Sequence, residues 1–310
     1  MRNFICAALA APTVLVAPVS LAAPKAPDAP DAPATLAEKD RAVAGGRAVQ
    51  IVLAQQQIAT SVDIGRVMTD DSGGGGLLGM LIISGMDDKR ERMTENAQQR
   101  ADATVVPLRE ALGDFDVAAL ALASTERALA IPQWFAPQRI LLSADASPAV
   151  RSAFVADGET PQIAFITYNY GLSPDFTQIR VNADIRLARR VAAKGDKAAT
   201  VTPAFYRQTI TSIIELPKRS YDHGENVALW SAADGALAKS SLTVAFAELE
   251  RLIPYALNLA PAELKAFDAK DREKAFGAGL YGPLVSRAED GSGGLLIWTK
   301  NGLVNVRPAR

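Results

Sequence analysis

The chain's one imidazole is His223, in the run Tyr221-Asp222-His223-Gly224-Glu225. A histidine between two carboxylates has the residue types of a general base with an orienting acid. The nucleophile such a base needs is missing in recognisable form. No serine lies in G-x-S-x-G, and none stands three residues before a lysine. The run falls between a predicted strand and a predicted helix, where polar residues serve turns and caps, so it is assigned no catalytic role. Asp114 and Asp116, with Glu110 nearby, are the carboxylates whose spacing comes closest to a glycosidase-like acid pair. Two acids at i, i+2 ahead of a helix more often cap it, and no aromatic cluster surrounds them. Asp268, Asp271 and Glu273 lack the glycine and the spacing of a calcium loop, and read as the wet face of a short helix.

Gly74-Gly75-Gly76-Leu77-Leu78-Gly79 satisfies G-x-G-x-x-G, the pattern that brings a pyrophosphate to a helix N-terminus. A glycine run meets that pattern by composition alone, and no parallel βαβ unit is evident around it. One His and one Cys exclude most zinc sites, iron–sulfur clusters and disulfide scaffolds. The expected catalytic, cofactor-binding and metal-binding sets are therefore all empty. Nucleic acid is an unlikely partner for a chain with 33 Lys plus Arg against 34 Asp plus Glu, a net charge of −1.

A different use of the glycine block is more plausible physically. Leu77, Leu78, Met80, Leu81, Ile82 and Ile83 place six large apolar residues in seven positions, more than one face of a surface helix can bury. Gly75 and Gly79 stand at G-x-x-x-G spacing, which lets a second backbone come close. Gly75, Leu77, Leu78, Gly79, Leu81 and Ile82 are thus the candidate contact with a membrane surface, a protein partner or a second copy in a homo-oligomer; the alternative is a helix end plugged into the protein's own core. The apolar stretch is too short to span a bilayer.

The elements that position these residues read as α+β. Arg47 to Ala54 and Gln57 to Val67 are β-branched runs predicted as early strands. A charged, solvent-facing helix follows over Asp87 to Asp102, and Pro107 is expected to kink it or to start a new one through Leu112. Asp114 or Asp116 caps a helix from Val117 to about Ala130. Gln162–Tyr170, Thr177–Ala188 and Ala204–Leu216 form a long antiparallel meander. In its middle strand Ile179, Val181, Ala183, Ile185 and Leu187 share one face, while Arg180, Asn182, Asp184 and Arg186 share the other. Helices over Asn226–Ala238 and Ser241–Leu257 pack on this sheet. A hairpin joins Leu284–Arg287 to Leu295–Thr299, and Leu303–Val306 adds a strand.

The N-terminus carries an address. Phe4 to Val19 holds no charge, and Ser20-Leu21-Ala22 offers small residues at a cleavage site, so residues 1–22 read as a secretory signal peptide. Cys6 precedes most of the apolar stretch, so it is not placed for lipid attachment and leaves with the signal. Residues 23–35 form a Pro/Ala-rich spacer, extended by prolines that fix φ and remove donors. Residues 36–310 are the globular region, with an internal boundary expected near 145–160; a chain 49% hydrophobic overall and of this length can hold a core without disulfides.

Ser72 to Gly79, the charged helix, Pro107-Leu108-Arg109-Glu110-Ala111-Leu112 with Asp114-Phe115-Asp116, and the ending Trp230 … Leu242-x-x-x-Phe246-x-Glu248-Leu249-x-x-Leu252-Ile253 resemble uncharacterised exported proteins of Gram-negative bacteria, many of them envelope lipoproteins. The resemblance implies a periplasmic or envelope location and carries over no catalytic residue. The function expected is a non-enzymatic envelope-associated protein that binds or scaffolds a partner. The alternative is a hydrolase of an envelope polymer acting through Asp114, Asp116 or Glu110.

Overall fold

Strict alternation in the middle of the chain sets the architecture, because a strand with one apolar and one polar face must be covered on only one side. The computed structural model describes residues 33–61, 77–193, 198–275, 280–288 and 293–310, with the backbone alone at 77–91, 272–275 and 280. Within residues 32–310 the described elements form one unit. In chain order they are α1 (Glu38–Arg41), β1 (Arg47–Val52), α2 (Leu77–Ala111), α3 (Val117–Ala130), β2 (Pro137–Ser143), α4 (Pro148–Ala156), β3 (Gln162–Leu172), β4 (Gln178–Val191), β5 (Thr200–Val201), β6 (Tyr206–Glu215), α5 (His223–Asn258), α6 (Pro261–Phe267), β7 (Arg272–Ala275), β8 (Leu280–Arg287), β9 (Leu295–Thr299) and β10 (Gly302–Pro308).

The fold is α+β, with one mostly antiparallel sheet in the order β2-β1-β3-β4-β6-β10-β9-β8-β7 and β5 paired to β4. The expected meander is its centre: β3, β4 and β6 run antiparallel in continuous register. Ile179, Val181, Ala183, Ile185 and Leu187 are all buried, in one core with Leu242, Phe246, Leu249, Ile253 and Leu257 of α5. Helices α2 and α3 pack on α5 over the same face of the sheet. On the other face Arg180, Asn182, Asp184 and Arg186 stay half-buried, as the alternation requires. The C-terminal hairpin β9–β10 completes the sheet, with β10 lying parallel beside β6.

Several expectations need correction. Of the strand expected over Gln57–Val67, residues 57–61 form only a single bridge, Ala59 to Gly171, and 62–67 lie outside the described residues. That bridge requires glycine, since a Cβ on Gly171 would stand 2.9 Å from the Ala59 carbonyl oxygen. Pro107 does not end the charged helix: α2 runs through it to Ala111. The break in the C-terminal helical stretch falls earlier than expected, at residues 232–235 within α5. There Ala233, Asp234 and Gly235 take φ of 50°, 56° and 70°. Parallel pairing is present as well: β1 lies between β2 and β3 and runs parallel to both. The segment from β1 through α2 and α3 to β2 is therefore a parallel crossover. The glycines at 74–79 still do not follow β1 directly as a dinucleotide loop would, because β1 ends at Val52.

Candidate functional site

The parallel arrangement at the sheet's first edge creates the site. Ser147 and Pro148 start α4: the Ser147 hydroxyl accepts from the Val150 amide at 3.4 Å, and proline occupies a first-turn position where its missing N–H costs nothing. Asp145 secures the turn before it, accepting from the Ser147 amide at 2.7 Å and its hydroxyl at 3.0 Å. From there α4 crosses the polar face of the sheet. Phe154 and Val155 anchor it in a small separate core with Ala48, Ile163, Phe165 and Ala199.

One turn ahead of that anchor, Arg151 lays its guanidinium over the Phe165 ring, 3.7 Å from the centroid. Strand register supplies the floor. Gln50 of β1 is paired with Phe165 of β3, which is paired with Arg186 of β4. The next row on this face is Val52, Thr167 and Asp184. These residues enclose a cavity of about 110 Å³ lined by Gln50, Val52, Asp145, Ala146, Ser147, Arg151, Phe165, Thr167 and Arg186.

The cavity is rich in hydrogen-bonding groups that lack partners. Gln50 is only 1% exposed, yet its Oε1 is buried without a hydrogen bond. Arg186 donates through Nε to Asp184 at 2.6 Å, and Asp184 also receives Arg207 at 3.0 Å. Arg151 makes no hydrogen bond or ion pair among the described residues and is held by stacking on Phe165. Burial and the neighbouring Arg186 both pull the Arg151 pKa below the ordinary arginine value, with Asp184 opposing them. Two guanidiniums face one small space. Ser147 and Asp145, which also line the cavity, are engaged at the start of α4.

A second, larger hollow lies between α5, α6 and the β8–β10 strands, as adjoining cavities of about 430 and 360 Å³ that share Arg251, Ser286 and Leu296. Glu248, 8% exposed, accepts from Arg251 at 2.9 Å and from Arg307 there.

The residues singled out from sequence are dispersed. Asp116 caps α3, accepting from the Ala119 amide at 2.8 Å. Asp114 and Glu110 are exposed, and none of the three lines the cavities above. His223 opens α5 in an exposed position behind its N-cap Asp222, with its ring 5.2 Å from that of Phe176. Among the described residues no cluster of His, Cys, Asp and Glu could hold a metal ion. Gly75 lies outside the described residues; Leu77, Leu78, Gly79, Leu81 and Ile82 fall in the first turns of α2, where only the backbone is described. Sequence reasoning missed the Arg151 cavity because it missed β2 and α4. The available signal was Ser147-Pro148, a capping residue followed by proline.

Known protein families, curated proteins and solved structures offer no match to this chain.

Proposed function

We propose that this is an exported, envelope-associated binding protein that works without catalysis, and that its binding element is the polar face of the sheet beneath α4. The observation that carries this reading is the row Gln50–Phe165–Arg186 roofed by Arg151. It gathers an unpartnered amide and an uncommitted guanidinium around one cavity. Folding gains nothing from bringing two like charges together, and binding an oppositely charged group does. The uncharged run Phe4–Val19, the Ser20-Leu21-Ala22 site and the proline spacer support export. In this reading the glycine–apolar start of α2, from Gly75 to Ile82, contacts a protein partner, a second copy or a membrane surface.

Cell fractionation with crosslinking and mass spectrometry tests the proposal. The expected result is a chain beginning at Ala23 in the periplasmic or envelope fraction, with crosslinks to a partner. A chain retaining Met1 in the cytosol defeats it.

A further inference from the structure

We propose that the cavity beneath α4 binds a small oxyanion group, a carboxylate or a phosphate, gripped by Arg151 and Arg186 with the Gln50 amide at its base. This rests on the binding reading above and names the chemistry of its ligand.

Three independent features point to that chemistry. The first is donor supply. Arg151 has its planar fork free of hydrogen bonds among the described residues, and Arg186 donates to Asp184 through its Nε. Guanidinium edges match the spacing of two oxygens on one carboxylate or phosphate, and a stacked guanidinium is already oriented when the ligand arrives. The second is Gln50, 1% exposed and lining the cavity, whose Oε1 is buried without a hydrogen bond. A buried acceptor left unpaired is costly; the P–OH of a hydrogen phosphate can donate to it, whereas a carboxylate can only accept from the amide's Nε2. The third is size. A cavity of about 110 Å³ has room for a carboxylate or phosphate group.

The acidic residues present do not cancel this charge. Asp145 offsets one of the two guanidiniums, since bonds from the neutral Ser147 amide and hydroxyl leave its own charge in place, and Asp184 is shared between Arg186 and Arg207. Two arginines and one aspartate line the cavity, which leaves it one net positive charge.

The test is isothermal titration calorimetry of the purified protein with inorganic phosphate and, separately, with acetate. One arm or both should show saturable one-site binding at millimolar ligand or tighter, and the stronger arm identifies the phosphate or carboxylate source. Arg151→Ala, at an exposed position that leaves the fold intact, should weaken binding about tenfold or more. Arg151→Lys keeps the charge but loses the fork and the flat stack, so it should fall well short of the natural protein. Gln50→Met, of similar volume, should weaken binding while leaving thermal unfolding little changed.

No saturable binding of either anion up to about 10 mM overturns the proposal. So does binding that Arg151→Ala leaves unchanged, or that Arg151→Lys fully preserves, since bulk charge then suffices. Such a failure is distinct from failure of the envelope reading, which is judged by fractionation and crosslinking.

Discussion

Val181 and Asn182 are neighbours in sequence on opposite faces of β4, and the contrast between them measures what each face does. Val181 is fully buried against the helices, whereas Asn182 is half-buried and accepts from the Thr211 hydroxyl at 2.7 Å. Val181→Asp should destabilise by about 3 kcal/mol or more through an unpaired buried carboxylate. Asn182→Asp keeps the acceptor and should cost about 0.5 kcal/mol or less; urea unfolding of both variants checks the pair. In the turn between β3 and β4, Asp175 shows how titration enters. Burial alone would raise its pKa, but bonds from Ser173 at 2.5 Å and from the Thr177 hydroxyl at 2.9 Å outweigh it and hold the carboxyl below its ordinary value. A depressed carboxyl stabilises above its unfolded pKa and loses that contribution as pH falls through the folded one. Asp175→Asn should therefore be less stable than the natural protein at neutral pH, and the gap should close below about pH 4. Melting temperatures compared across that range decide it.

At the scale of elements, what was legible is what repeats. Ten residues of alternation declare β4, and the Leu242–Phe246–Leu249–Ile253–Leu257 stripe declares the second half of α5, because both patterns reflect burial on one side. The short pieces were illegible for the same reason. β2 buries none of its seven residues fully, so it carries no alternation to read, and nine-residue α4 shows a core face only at Phe154 and Val155. The roof of the site, Arg151, sits on α4 over strands β1, β3 and β4, which is why Arg151 and Arg186 looked unrelated 35 positions apart. The break in α5 follows from backbone geometry instead. Gly235 holds φ at 70°, and a Cβ there would meet the Ala111 methyl at 3.1 Å where α2 ends. Gly235→Ala should destabilise by about 1 kcal/mol or more, read by thermal unfolding, despite alanine's better helix propensity. Equal or raised stability would show that this turn tolerates an ordinary side chain.

Among the described residues, α2, α3 and α5 cover one face of the sheet, and α4 lies over part of the other. No described helix is long and apolar enough to cross a membrane. If the start of α2 is a contact surface, Gly79→Leu with Ile82→Asp should dissociate an oligomer or release the protein from membranes while its monomer melts cooperatively. Light scattering and vesicle sedimentation read the outcome; loss of cooperative melting would instead place the segment in the protein's own core. The sheet order has a further consequence, in time rather than space. β1 pairs with β2 about ninety residues later, and β6 waits about as long for β10. Pairings that distant must close long loops before they gain anything, so folding should be slow for a chain of this helix content. Until β10 arrives, β6 and β9 both present open edges in the middle of what will become the sheet. A chain halted before that strand would hold two unfinished half-sheets, each a template for the wrong neighbour.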